Sequence, residues 1–152
     1  MLPFKNILSP TDFSEPSYKA IKVANELALF FQAKLCVLHV VSLTQLLTVD
    51  DMPTTVDVGK FQKQLEAAAR KQLQDLVDQL IPKRPEGTAL MITSGSYADE
   101  ILRIAGDQKS DLIVIGTRGR TGISHLVLGS VAERVVQLAT CPVLTIRPTV
   151  SV

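Results

Sequence analysis

The sequence lacks the features of zinc, redox and nucleic-acid chemistry. It has two cysteines in 152 residues, Cys36 and Cys141, with no CxxC spacing and no neighbouring histidine cluster. This pattern argues against zinc and redox motifs and favours reduced, structural thiols. Sixteen basic side chains against fifteen acidic ones give a net charge of +1. Such a balance favours neither a nucleic acid nor a membrane surface as a partner.

Membrane and secretion signals are also missing. No apolar run approaches the roughly 20 residues that span a bilayer. The N-terminal residues contain no secretory h-region, so we expect a cytoplasmic protein.

Two common nucleotide-binding motifs are absent as well. The sequence contains no G-x4-GK[ST] P-loop, and no G-x-G-x-x-G follows the first predicted strand. We therefore exclude P-loop kinases and dinucleotide-dependent dehydrogenases. The two histidines, His39 in a predicted strand and His125 in a glycine-rich loop, are interpreted as packed or polar side chains rather than catalytic bases.

What the sequence does contain is a regular alternation of strand and helix patterns. Short apolar runs predict buried strands, and apolar residues at helical spacing predict amphipathic helices. The predicted strands cover residues 4–9, 34–41, 89–93, 112–115 and 141–146, and the predicted helices cover 15–31, 60–81, 96–106 and 130–138. Pro10 is expected to end the first strand, since proline cannot donate a ladder hydrogen bond. Ser96 and Asp99 form a capping-box pattern at the start of the third helix.

This order of elements predicts one α/β domain over residues 1–152. We expect a doubly wound, Rossmann-like parallel sheet of five strands in the order 3-2-1-4-5, because parallel crossovers place helices on both faces. Ligands of such sheets bind where neighbouring strands send their crossovers to opposite faces. Here that point lies between strands one and four, so the loops beginning at Pro10 and Gly116 are predicted to border one crevice.

The loop after the fourth strand is the most informative segment. It reads GTRGRTGISHLVLGS over residues 116–130 and joins a buried strand to a helix. Glycines let the backbone approach a ligand closely, and a helix N-terminus favours negative charge. The segment therefore predicts a cradle for nucleotide phosphates, with ordinary turn chemistry as the alternative explanation of its glycines.

Several polar residues near this crevice have two interpretations. Ser130 forms a capping-box pattern with Glu133 and could cap the fourth helix without any ligand. Asp12 could cap the first helix; in a nucleotide site it would instead accept hydrogen bonds from ribose hydroxyls or the adenine amino group. Arg118 and Arg120 could neutralise phosphate charge or remain solvated.

Three motifs in sequence order give the chain a family resemblance. They are ILSPTDFSEP from Ile7, Leu38-His39-Val40, and Gly116-x2-Gly119-x9-Gly129-Ser130. On these motifs, and over nearly its whole length, the chain resembles the universal stress proteins. The last motif is typical of the ATP-binding branch of that family.

The resemblance implies an ATP site, with ADP or AMP as alternatives and with Mg²⁺ held through the phosphates. It also implies a homodimer joined through the fifth strands, Val143–Ile146. The residues it assigns to the phosphates are Gly116, Gly119, Gly129 and Ser130, with Val131 beside them. Those it assigns to the adenosine end are Pro10, Thr11, Asp12 and the backbone of Val40.

The leading hypothesis is therefore a nucleotide-dependent regulatory module of a stress response. Bound ATP would order the glycine loop and the long connection over residues 42–59, which would change the surface offered to protein partners. No base is assigned for attack on a γ-phosphate, so at most slow hydrolysis is expected. The alternatives are a slow Mg²⁺-dependent ATPase and a dimeric adaptor that acts without nucleotide through a strand edge.

Overall fold

Strands and helices alternate along the chain as predicted. A computed structural model describes residues 2–42, 57–117 and 128–148. The strands are β1 Asn6–Thr11, β2 Lys34–Val41, β3 Ala89–Ser94, β4 Leu112–Gly116 and β5 Val143–Ile146, and the helices are α1 Glu15–Phe31, α2 Val58–Leu80, α3 Tyr97–Asp107 and α4 Ser130–Leu138. The strands form one parallel sheet in the order β3-β2-β1-β4-β5. The predicted doubly wound α/β fold is confirmed.

Each face of the sheet has its own apolar core, because successive strand residues point to opposite faces. On one face, Ile7 and Val37 pack with buried residues of α1 and α2. On the other face, Leu8 and Leu38 pack with buried residues of α3 and α4. The helices that follow β1 and β4 therefore lie on opposite faces, and the switch point falls between these two strands as expected.

β1 does not end before Pro10, and the prediction that it would was wrong. β1 runs to Thr11, and Pro10 is in register with Leu38 of β2. The Asn6 carbonyl accepts the Asp111 N–H on the β4 side; since backbone groups alternate along a strand, the nitrogen of Pro10 also faces β4. The missing donor therefore affects only the β4 side.

The ladder between β1 and β4 ends early for this reason. Its register pairs are Ile7 with Leu112 and Leu8 with Ile113, whereas β1 pairs with β2 as far as Thr11. Just beyond Leu8, the Ser9 hydroxyl donates to the Val114 carbonyl at 3.0 Å. A side chain thus supplies a hydrogen bond where the main chain has stopped pairing.

Several other boundaries differ from the predictions by one or two residues, and β1 begins at Asn6 rather than residue 4. α2 begins at Val58 rather than residue 60, because the Asp57 carboxylate accepts the N–H groups of Gly59 and Lys60. Ser96 is the N-cap of α3, but its side chain makes no capping hydrogen bond, so the capping box is not formed. β5 begins at Val143 rather than residue 141, after a proline that cannot donate to a ladder.

The prediction that no segment spans a membrane rested on the absence of long apolar runs. In the three described ranges, no helix combines the length and the hydropathy required to cross a bilayer.

Candidate functional site

The end of β4 and the start of α1 lie at the switch point, where the crevice is predicted. These two elements touch at Gly116, where an added β-carbon would lie 3.0 Å from the carbonyl oxygen of Pro16 and 3.1 Å from its carbon. These distances are shorter than ordinary van der Waals contact. Gly116 therefore has a structural role, which is to let the first turn of α1 approach the sheet.

The two ends of the glycine-rich loop are tied together beside this contact. Thr117 is buried and donates its N–H to the Ile146 carbonyl of β5 at 3.0 Å. The Gly129 N–H donates to the Thr117 carbonyl at 2.6 Å. The start of α4 is thus fixed next to the end of β4. Residues 118–127, which include Arg118, Gly119, Arg120 and His125, lie outside the described residues.

The start of α4 has no capping side chain among the described residues. Gly129 is the N-cap and Ser130 is the first helical residue, so the alternative that Ser130 caps the helix is wrong. The Glu133 N–H donates to the Gly129 carbonyl at 2.9 Å. No side chain of the described residues makes the capping bond. The first-turn N–H groups, including those of Ser130 and Val131, can therefore donate hydrogen bonds at the edge of the sheet where its strands end.

The loop from β1 to α1 is held by short-range hydrogen bonds. The Thr11 hydroxyl lies 2.7 Å from the Ser17 hydroxyl and accepts the Phe13 N–H at 3.1 Å. One carboxylate oxygen of Asp12 accepts both the N–H and the hydroxyl of Ser14. Since Ser14 is the N-cap of α1, Asp12 forms an Asx turn ahead of the helix rather than its cap.

Phe13 occupies an unusual backbone conformation in this loop. Its φ is +62°, in the left-handed region that few aromatic residues adopt. The Tyr18 hydroxyl donates to the Phe13 carbonyl at 2.8 Å, and the Phe13 ring packs on His39 with centroids 4.3 Å apart. Tyr18 is not among the candidate residues predicted from the sequence. The spacing of Asp12 and Ser14, which is typical of an Asx turn, is the signal that predicts a fixed loop here.

His39 is a packed side chain, in agreement with its interpretation from the sequence. It is buried, and its Nδ1 lies 2.8 Å from the Thr11 carbonyl oxygen. Because a carbonyl can only accept, Nδ1 carries the proton and donates. His39 thus fixes the end of β1 against β2.

Val40 follows the last residue of β2 that is in register with β1. Lys34, at the start of β2, donates its N–H to the Lys5 carbonyl. Because backbone groups alternate, Val40, an even number of residues later, also faces β1. The last register pair of the two strands is Thr11 with His39. The Val40 carbonyl therefore lies one residue beyond the ladder.

Ionisable groups elsewhere on the same fold have specific environments. At the end of β3, the Ser94 hydroxyl donates to Glu66 at 2.6 Å, and hydrogen bonds from Ser94 and Gln62 lower the pKa of that carboxyl. Both cysteines are free, and burial raises the pKa of the Cys36 thiol to about 11 and the pKa of Cys141 above its ordinary value. Among the described residues, no three His, Cys, Asp or Glu side chains are grouped to hold a metal ion.

The sequence matches the universal stress protein family over residues 3–147. The chain belongs to this family. It is 33% identical over 144 residues to universal stress protein MJ0531 of Methanocaldococcus jannaschii, with 95% of this chain and 82% of that protein covered. It is 32% identical over 149 residues to universal stress protein YxiE of Bacillus subtilis, with 95% and 99% covered.

Solved structures of the family share the fold. MJ0577 of Methanocaldococcus jannaschii is 28% identical and superposes with a TM-score of 0.79, with 97% of this chain and 98% of that chain covered. A universal stress protein solved in complex with cAMP is 21% identical, with a TM-score of 0.69 and coverage of 95% and 97%. At that identity the likeness concerns the fold alone.

Proposed function

We propose that this universal stress protein is a regulatory module that binds an adenine nucleotide, ATP in the first place, in the crevice between β1 and β4. The observation that carries the proposal is the hydrogen bond from the Gly129 N–H to the Thr117 carbonyl. It holds a helix start that has no side-chain cap at the switch point of a doubly wound sheet. Helix N-termini of this kind bind anions well, and ligands of doubly wound sheets bind at the switch point.

In this proposal the phosphates lie on the glycine-rich loop and on the first turn of α4. The N–H groups of Ser130 and Val131 would donate to phosphate oxygens, and the absence of a side chain at Gly129 would let them approach. Arg118, Gly119 and Arg120 belong to the proposed site on sequence grounds. Mg²⁺ would enter bound to the phosphates.

The adenosine end would lie on the loop after β1. The Asp12 carboxylate, which is held in the loop by Ser14, would accept hydrogen bonds from the ribose hydroxyls. The Val40 carbonyl, one residue beyond the ladder, would accept the adenine amino group. Thr11 would act by holding the loop, because its hydroxyl already contacts Ser17 and Phe13.

We further propose that the protein is a homodimer joined through β5. This strand ends the sheet, carries no charged residue and includes Leu144, which is 38% exposed. Val136 and Leu138 of α4 are also exposed apolar residues. An uncharged edge with exposed apolar neighbours favours strand pairing with a second chain.

Titration calorimetry with ATP, ADP, AMP and cAMP tests the nucleotide proposal. Gly129 has a φ of −58°, which any residue adopts, so Gly129→Val is expected to fold. The valine side chain would clash with the bound phosphates, so we expect the affinity for ATP to be at least 100-fold weaker. Gly106→Ala is the matched control, because an added β-carbon there meets nothing within 4 Å. Unchanged affinity in folded Gly129→Val would refute the site.

Nucleotide released from freshly purified, denatured protein separates the remaining alternatives. Stoichiometric ATP supports a binding module with slow turnover, whereas ADP together with steady phosphate release supports a slow ATPase. A protein that carries no nucleotide and binds none on addition would be a nucleotide-independent adaptor, and the proposal would fail.

A further inference from the structure

An exposed apolar patch lies at the end of the molecule where α1 finishes. We call it the aromatic pole and define it by residues Leu2, Phe4, Leu29, Phe30 and Phe31. Phe30 is 81% exposed and Leu2 is 67% exposed. The rings form an edge-to-face series, with centroids 5.3 Å apart between Phe4 and Phe31 and 5.1 Å apart between Phe31 and Phe30. Three of the five phenylalanines in the chain are therefore gathered here.

The packing of α1 does not account for Phe30. The helix buries Ile21, Ala24 and Ala28 against the sheet, and Phe31 packs at the margin of the same core. Phe30 points away from this core and is almost fully exposed. A single exposed apolar residue is ordinary, but exposed apolar side chains grouped around aromatic rings are typical of a contact surface.

The aromatic pole is remote from the proposed nucleotide crevice. α1 begins at that crevice, where Pro16 contacts Gly116, and continues for 17 residues to Phe31. At about 1.5 Å per residue, the helix separates the two sites by roughly 25 Å. A partner at the aromatic pole would leave the crevice open.

Lysines follow the same edge of the sheet. Lys34 donates its N–H to the Lys5 carbonyl, and the Asn6 side chain donates to the Lys109 carbonyl at 3.2 Å. All three lysines are therefore close to Asn6 at the beginning of the sheet, and all are exposed. Lys5 follows Phe4 directly, which places positive charge beside the aromatic pole.

Two carboxylates lie near these three lysines. The Asp111 carboxylate accepts the N–H groups of Lys5 and Asn6 at 2.8 and 3.0 Å, so it is directed onto the main chain. Glu26, one helical turn before Phe30, is the exposed carboxylate in the second half of α1. The three lysines outnumber these two carboxylates, so the edge combines apolar rings with one more positive than negative charge among the named groups.

We propose that the aromatic pole binds an acidic, apolar segment of a partner protein. Apolar side chains of the segment would pack on Phe30 and Leu2, and its carboxylates would pair with Lys5 and Lys34. A second copy of this chain fits less well, because it would bring a second set of the same lysines to the interface. The occupant is therefore a different chain with negative charge.

Selection of a random peptide library displayed on phage tests this assignment. The full-length protein is the bait, and Phe30→Ala is used for counter-selection. We expect enriched peptides that combine leucine or phenylalanine with aspartate or glutamate. Synthetic versions of these peptides should bind the wild-type protein, as measured by fluorescence anisotropy. Their affinity for Phe30→Ala and for Lys34→Glu should be at least tenfold weaker. Their affinity for the wild type should fall as salt is added. Val58→Ala, at another exposed apolar position, should bind as the wild type does.

Three results would overturn the proposal. One is the absence of any enrichment, and another is enriched peptides that bind Phe30→Ala as tightly as they bind the wild type. The third is that the wild-type protein selects no peptide but sediments with phosphatidylserine vesicles, and that Phe30→Ala no longer does so. That last result would assign the aromatic pole to a lipid surface. Circular dichroism of each variant checks that the fold is intact.

Discussion

The carbonyl oxygen of Pro16 lies 3.0 Å from the place where a β-carbon on Gly116 would stand. The close approach involves main-chain atoms, which cannot move aside as a flexible side chain does. We therefore expect Gly116→Ala to lower the free energy of unfolding by about 1–3 kcal/mol, the usual cost of overpacking. Urea denaturation measures this change.

The control for this prediction is Gly106→Ala in α3, where an added β-carbon has open space. Alanine is a better helix former than glycine, so this variant should be unchanged or stabilised by up to about 1 kcal/mol. Equal stability of the two variants would show that α1 can move away from Gly116 without cost.

Tyr18 should stabilise the loop after β1 through its hydroxyl. Tyr18→Phe keeps the ring but loses the hydrogen bond to the Phe13 carbonyl, and we expect a loss of about 1 kcal/mol. Thermal and urea unfolding measure it. Tyr97→Phe is the matched control, because no hydrogen bond of the Tyr97 hydroxyl is found within the described ranges. A loss of similar size in both variants would contradict the assigned role.

Cys36 should make stability depend on pH in the alkaline range. Burial raises the pKa of its thiol from 9.0 to about 11, so the unfolded chain ionises first as the pH rises. The stabilisation is complete below pH 9 and is lost as the pH passes 11, with a total of about 2–3 kcal/mol. Unfolding should therefore become easier over this window.

The difference between the wild type and Cys36→Ala isolates this contribution from the other groups that titrate there. The two stabilities should approach each other from pH 9 to pH 11, as measured by urea unfolding at each pH. The difference in stability between the wild type and Cys141→Ala should change less over this pH range, because Cys141 is only partly buried. A constant difference between the wild type and Cys36→Ala would contradict the prediction.

The pKa of Glu66 should rise when Ser94 is replaced. The Ser94 hydroxyl is the main cause of the lowered pKa, and Gln62 is the second. Because the pKa of Glu66 is lower in the folded protein than in the unfolded chain, its ionisation stabilises the fold above the unfolded pKa. This stabilisation is lost as the pH falls through the folded pKa. The stability of Ser94→Ala should therefore decrease less in acid than that of the wild type. An NMR titration of the Glu66 carboxyl measures the shift, and Gln62→Ala should give a smaller one. No change in Ser94→Ala would contradict the assignment.

The elements with strong periodic patterns were the most predictable from sequence. The bounds of α1 and β2 agree with the predictions, since an apolar stripe defines the helix and a continuous apolar run defines the strand. Pro10 was misread because a sequence does not show on which side of a strand a missing N–H falls. That side depends on the register, which only the folded sheet determines.

The site was only partly accessible to sequence reasoning for a similar reason. The motif predicted that Gly116 and Gly129 belong to one site. It did not show that Gly116 contacts Pro16, or that Gly129 rather than Ser130 occupies the N-cap position of α4. Both facts depend on how two elements distant in sequence approach each other. Arg118, Gly119 and Arg120 stay predictions.

The proline in β1 has a consequence for how the end of that strand is held. Because main-chain pairing with β4 stops at Leu8, the stretch from Ser9 to Thr11 has main-chain register partners on its β2 side only. On the β4 side, the hydrogen bond from the Ser9 hydroxyl to the Val114 carbonyl takes the place of a main-chain bond. The ring of Pro10 thus sets the point at which main-chain pairing with β4 ends.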